Sequence, residues 1–143
     1  MSIVSDLVRK RTEERTGRAR QGGGNAACYA VALLRHVTMG PEIVSYLEAI
    51  DATLAPFQGR FIVHGGPCHR LEGAPPGDLI VIEFPSLSAA RDWYASPAYA
   101  AILPHRLRNS EGDVFLIEGV PADHRATDVL NGLQGEDTRS ARS

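Results

Sequence analysis

Four short apolar runs, separated by stretches with helical spacing and punctuated by glycine and proline, constrain this chain more than any other feature of its 143 residues. The first, Ala27–Val37, is nearly all apolar and reads as a strand buried on both faces for most of its length. Pro41 then suits the first turn of a helix, where its missing N–H costs nothing. Ile43, Tyr46, Leu47, Ile50 and Leu54 fall on one helical stripe, and Pro56 ends it. Arg60-Phe-Ile-Val-His64 begins a second strand. Gly65-Gly66-Pro67 interrupts it as a bulge or bend would, and Cys68–Glu72 resumes it. Gly73–Gly77 is a turn. Leu79-Ile-Val-Ile-Glu-Phe84 is the clearest strand, stopped by Pro85. Ser86 is a good N-cap for a helix through Leu87, Ala89, Ala90, Trp93 and Tyr94. Ser96-Pro97 breaks that helix and Ala98–Leu103 adds another turn or two. Val114–Gly119 is the last strand.

Strand, helix, strand, strand, helix, strand is the ferredoxin-like split βαβ order. It predicts an α+β fold with a four-stranded antiparallel sheet covered by helices on one face only. On the first strand Tyr29, Val31 and Leu33 share one face, and Ala30, Ala32 and Leu34 the other. Both faces are apolar, so the uncovered one needs a partner, and a homodimer with sheets face to face is the economical solution.

Residue distribution sets the boundaries. All aromatic residues lie between Tyr29 and Phe115, and all prolines between Pro41 and Pro121. Residues 1–25 carry Arg9, Lys10, Arg11, Arg15, Arg18 and Arg20 against Asp6, Glu13 and Glu14, while residues 26–119 are acidic overall. This divides the chain into a basic N-terminal arm at 1–25, a folded domain at 26–120 and a C-terminal tail at 121–143. Within the arm, Ile3, Leu7 and Val8 suit a short helix in Ser2–Arg20, and Gly22–Gly24 acts as a hinge. The net charge of −2 and a pI near 6.2 weigh against a nucleic-acid partner. No signal peptide and no apolar run of membrane-spanning length is present, so no membrane partner is expected. Cys28 and Cys68 belong to no C-x-x-C pair and read as reduced thiols of a cytoplasmic protein.

Several segments together resemble domain-of-unknown-function family thirteen-thirty. They are Leu54-Ala-Pro-Phe-Gln-Gly-Arg60-Phe-Ile-Val-His64-Gly-Gly66, Leu71-Glu-Gly73, Val81-Ile-Glu-Phe-Pro-Ser86, and Ala89-Ala-Arg-Asp-Trp-Tyr-Ala-Ser-Pro-Ala-Tyr99. Arg106 stands seven residues after Tyr99, where that family usually has an arginine, and Leu116-Ile-Glu-Gly119 is similar to its last strand. The resemblance covers about residues 27–120. It implies a dimeric α+β barrel, a superfamily that also holds cofactor-free monooxygenases, muconolactone isomerases, polyketide cyclases and haem enzymes. Fold alone does not choose among these activities.

Alternation places Arg60, Ile62 and His64 on one face of the second strand. Glu83, set in an apolar strand, is costly to bury unpaired, so Arg60, His64 or Arg106 should partner it. A carboxylate paired with a histidine in an apolar cleft is a workable general acid/base, which makes His64 and Glu83 the catalytic candidates. Arg60 and Arg106 would hold negative charge. Trp93, Tyr94 and Tyr99 would wall the pocket, Tyr99 with its hydroxyl toward substrate. Against this stands a structural ion pair at Glu83 and plain core packing of the aromatics.

His64, Cys68 and His69 are too far apart along an extended strand to share a metal. No G-x-S-x-G, phosphate loop or dinucleotide fingerprint occurs, so no cofactor is expected. The reading is a cofactor-independent enzyme that isomerises, cyclises, eliminates or oxygenates a small hydrophobic carbonyl-bearing metabolite. A place in specialised biosynthesis follows from superfamily analogy alone. The alternative is a non-catalytic dimer that binds or carries such a ligand.

Overall fold

The structure, a computed structural model, describes residues 26–74 and 77–131. The arm expected over residues 1–25, with its helix and glycine hinge, and the tail from 132 onward lie outside the described residues. Asn25–Gly119 is one compact unit. Residues 120–131 belong to another, in which a turn closed by the His124 N–H on the Pro121 carbonyl precedes a helical turn at 128–131.

The Asn25–Gly119 unit runs β1 (Cys28–Leu34), α1 (Pro41–Leu54), a 3₁₀ turn (Ala55–Phe57), β2 (Arg60–His64), β3 (Asp78–Phe84), α2 (Leu87–Tyr94), α3 (Pro97–Asn109) and β4 (Gly112–Glu118). The sheet order is β2-β3-β1-β4, and each neighbouring pair is antiparallel. This is the ferredoxin-like arrangement that the order of apolar runs predicts. β1, apolar on both faces, takes a central place. It ends at Leu34, short of the apolar run, because His36 adopts φ 25° and turns the chain. The Arg35 and Thr38 N–H groups then donate to the Glu111 and Asn109 carbonyls rather than to a ladder.

Local chemistry explains the remaining elements. Ile43, Tyr46, Ile50 and Leu54 of the helical stripe are buried, whereas Leu47 is exposed. Gly59 lets α1 and β3 approach: a Cβ there would stand 2.5 Å from Phe84 Cε1 and 2.8 Å from Leu54 Cδ2. Ser86 caps α2 by accepting from the Ala89 N–H at 3.0 Å. Ser96 caps α3 by accepting from the Tyr99 N–H at 3.2 Å, and its own hydroxyl donates to the Trp93 carbonyl at 2.7 Å.

Two sequence expectations are corrected. The second strand does not resume at Cys68–Glu72. Gly65 N–H still donates to the Leu79 carbonyl, but β3 begins at Asp78, so the following residues have no strand left to pair with. They form an exposed loop in which Leu71 is 95% accessible. Conversely, α3 continues through Pro104 to Asn109 instead of ending near Leu103. Its last turns are held from outside, by burial of Arg106 and by Glu42 of α1, which accepts from Arg108 and from Asn109 Nδ2 at 2.9 Å.

The helices pack on one sheet face. Cys28, Ala30, Ile82 and Phe84 of the sheet meet Ile50 and Leu54 of α1, Ala90 and Trp93 of α2, and Tyr99 of α3. The register puts Tyr29, Val31 and Leu33 on the other face beside Glu83, Val81 and Leu79 of β3 and Ile117, Phe115 and Asp113 of β4. There Phe115 is 44% and Ile117 54% exposed.

Candidate functional site

A cleft of about 790 Å³ opens between the helix-covered sheet face and the helices. Ala30, Ala32, Ile80 and Ile82 form its floor, and Ile43 and Ile50 of α1 with Trp93 and Tyr94 of α2 contribute walls. An apolar concavity of this size with a few convergent polar groups is the usual form of a small-molecule site. The polar groups are Tyr46, Tyr99 and Arg106, with His64, His36 and Asp78 also on the lining.

Tyr46, Tyr99 and Arg106 form a connected group because α1 and α3 lie side by side. The two phenol oxygens are 2.6 Å apart and their rings meet edge to face. Arg106 is only 9% exposed, and its guanidinium lies beside both phenols. Burial works against its charge, yet the Tyr99 and Tyr46 oxygens more than offset this and its pKa is raised. Burial first, and then the neighbouring Tyr99, push the Tyr46 phenol well above its ordinary range. Tyr46 is therefore a hydrogen-bond donor at neutral pH, not a base. Among the described residues no carboxylate lies within ion-pair distance of Arg106.

The aromatic candidates divide by role. Trp93 is 3% exposed and its indole N–H donates to Thr53 Oγ1 at 3.0 Å, so that N–H is spent inside the protein. Tyr94, on the next position of the helix, is 40% exposed; both residues border the cleft. Tyr99 packs against both at tilted angles, with ring centroids 4.2 Å from Trp93 and 5.5 Å from Tyr94.

Arg60, Glu83 and His64 are not brought together, and the cause is a β-bulge. Arg60 pairs with Glu83 and Phe61 with Ile82, but Val63 pairs with Val81 and His64 with Ile80. The extra residue, Ile62, shifts the alternation by one. His64 therefore turns to the helix-covered face, stacked on Phe61 at 4.1 Å, and lines the cleft. Arg60 and Glu83 stay on the opposite face. Arg60 Nε stands 3.5 Å from Glu83 Oε1, close enough for an ion pair but not aligned as a hydrogen bond. The Tyr29 hydroxyl donates to Glu83 Oε2 at 3.5 Å. The expectation that Arg60, Ile62 and His64 share a face does not hold. Glu83 and His64 are separated by the thickness of the sheet.

Sequence reasoning missed the role of Tyr46, which it read as part of the helix stripe, and did not single out Thr53. The signal was present in Tyr46: a tyrosine among buried aliphatics must find its hydroxyl a partner. Outside the cleft, Cys28 is buried and its thiol pKa is raised, by burial first and by Glu118 second, whereas Cys68 is exposed. Among the described residues no three His, Cys, Asp or Glu side chains could hold a metal ion together, and no helix is long and apolar enough to cross a membrane.

Two solved structures of the Rhodopseudomonas palustris protein RPA0582, described as a protein of unknown function, are similar to this chain. One of them is 16% identical with a TM-score of 0.52, covering 75% of this chain and 92% of its own. The methylated form is 16% identical with a TM-score of 0.54, covering 78% and 93%. These likenesses show the fold alone. SnoaB, a cofactor-independent oxygenase from Streptomyces nogalater, is 15% identical and covers 71% of this chain and 97% of its own, with a TM-score of 0.38 that is too low to carry an argument. No curated protein matches. Residues 27–120, well over half of the chain and nearly the whole of its sheet-and-helix unit, match the family described as Domain of unknown function (DUF1330), and the chain belongs to that family.

Proposed function

We propose that the cleft is the working site of a small-molecule enzyme that moves a proton on a largely apolar, carbonyl-bearing molecule without a cofactor. The observation that carries this reading is the apolar cleft with Arg106, Tyr46 and Tyr99 at one place on its lining and His64 at another. In the reaction, His64 takes a proton from the carbon beside the carbonyl. The C–H electron pair moves onto the carbonyl oxygen, and the protonated imidazole returns the proton at a second position, which isomerises the molecule. Trp93 and Tyr94 hold the apolar body. Arg60 and Glu83 lie on the other face of the sheet, and their part is to pin the β2 edge to β3.

The experiment is deuterium incorporation. Incubating the protein with a panel of aryl 1,3-dicarbonyls in D₂O should give faster exchange at the activated carbon than buffer alone, and His64→Ala should return the rate to that of buffer. Ligands that bind without exchange or product would overturn catalysis in favour of a binding or carrier protein. One observation favours that second reading: Glu83 lies on the other face of the sheet, and among the described residues no carboxylate is within ion-pair distance of His64 to complete a His–carboxylate dyad.

The open sheet face supports a homodimer of the α+β barrel kind. Leu79 of β3 and Phe115 and Ile117 of β4 are exposed there on either side of β1, a pattern that a second sheet would cover. Light scattering at micromolar concentration should give twice the chain mass of 15.4 kDa. A mass equal to that of one chain would exclude the dimer.

A further inference from the structure

Hydrogen-bond counting at the Tyr46–Tyr99–Arg106 group leads beyond the choice between enzyme and carrier. A guanidinium has five N–H donors and accepts nothing. Each phenol has one O–H donor and can accept. With the oxygens 2.6 Å apart, one phenol donates to the other, which uses one of the two O–H groups. The remaining O–H cannot donate to Arg106, and among the described residues no other acceptor reaches it. Tyr46 stays protonated, so this donor is not lost by ionisation. Among the described residues the group thus presents a phenolic O–H with no acceptor and a buried guanidinium whose neighbours are neutral phenol oxygens and not a carboxylate.

Charge counting gives the same result. Arg106 is buried among apolar walls, and a desolvated cation strongly favours an anion. The other arginine on the lining, Arg35, is exposed and already pairs with Asp113 at 3.0 Å. Asp78 on the lining is exposed as well. Among the described residues the buried part of the cleft therefore carries one positive charge, that of Arg106, with no carboxylate to balance it.

We propose that the cleft takes a singly charged ligand, an apolar body ending in a carboxylate, with that carboxylate set on Arg106 and the Tyr46–Tyr99 hydroxyls. The guanidinium fork matches two carboxylate oxygens, and the unspent phenolic O–H supplies a further donor. A doubly charged phosphate would leave one negative charge unbalanced among isoleucines and aromatics. The inference rests on the reading of the cleft as a small-molecule site, and it deepens that reading by naming the charged handle.

The test is calorimetric titration of the full chain at pH 7 with phenylacetate, its neutral amide phenylacetamide, and phenyl phosphate. Phenylacetate should bind about 10- to 100-fold more tightly than the amide, the range expected when charge-assisted hydrogen bonds are lost. It should also bind more tightly than phenyl phosphate. Arg106→Met should bring phenylacetate down to the amide's affinity and leave the amide unchanged. The melting temperature should hold or rise, since an apolar replacement for an unpaired buried charge is tolerated. Should that variant fold poorly, Tyr46→Phe carries the test, with about a tenfold loss for phenylacetate alone. Equal affinity for acid and amide, or tighter binding of the phosphate, would overturn the carboxylate assignment and leave the cleft a small-molecule site. Failure of all three probes to bind would overturn both.

Discussion

The two faces of one sheet handle polarity in opposite ways. On the helix-covered face the polar groups are two phenols and an arginine turned toward a cavity, and among the described residues no carboxylate balances the arginine. On the open face Glu83 is buried beneath Arg60 and Tyr29, so opposite charges meet within the protein. Three strands, β1, β2 and β3, supply the open-face group, whereas the helices α1 and α3 supply the phenols and the arginine of the covered face. A site that must receive a ligand leaves hydrogen-bonding capacity unspent; a site that only fixes strand register spends it. By that criterion the covered face is where binding or chemistry belongs, although the open face holds the pair that looked more catalytic in sequence.

The contrast can be broken by experiment. The largest effect should come from truncating each face in turn. Phe84→Ala, fully buried under the helices, should lose about 3–5 kcal/mol in urea unfolding. Phe115→Ala on the open face should cost far less at concentrations where the chain is monomeric, and should instead weaken self-association in light scattering. Equal losses for the two would mean that the faces are not different environments.

Next is Glu83→Gln, which removes one partner of a buried ion pair and should cost about 2 kcal/mol. It should leave phenylacetate affinity and deuterium exchange unchanged. His64→Ala should do the reverse, with stability within about 0.5 kcal/mol of the parent and exchange abolished. An effect of Glu83→Gln on exchange would show that the two faces communicate.

The smallest effect concerns the contact between α1 and α3. Glu42 accepts from Arg108 and Asn109, and these partners hold its carboxyl at about 2, below an ordinary value of 4.5. A depressed carboxylate pKa stabilises the fold above the unfolded value and loses that contribution as pH falls through the folded one. The melting temperature should therefore be flat above about pH 5 and drop between 4.5 and 2, more steeply than in Glu42→Gln. Parallel curves for the two proteins would show that the contact does not contribute.

Much of this was legible in sequence because hydrophobic period is a strong signal. The strand order, the α1 stripe and the two faces of β1 follow from it directly; Ser86 reads as the cap of α2, whereas Ser96 reads only as a break and the structure shows that it caps α3. The bulge at Ile62 was not legible. Phe61-Ile-Val-His64 is uninterrupted β-forming sequence, and the nearby glycines place the interruption at Gly65-Gly66, three residues late. One unmarked residue was enough to move His64 to the other face. The helix read as Ala98–Leu103 runs on to Asn109, since tertiary contacts at Arg106 and Glu42 carry it past Pro104, a residue type that normally ends a helix. Arg106 and Tyr99 were found as separate candidates. Their assembly with Tyr46 depends on how α1 and α3 lie together, which no local pattern encodes.

The bulge has another consequence, for self-recognition between chains. β2 is an edge strand, and an edge offers its unpaired backbone groups as a template for further strands. A five-residue strand with its pairing broken in the middle is a poor template. The kink that aims His64 into the cleft therefore also protects the molecule against strand-by-strand aggregation. Deleting Ile62 would make the pairing regular with His64 still opposite Ile80, so it should keep the histidine in the cleft while restoring a continuous edge, a solubility lesion without a functional one.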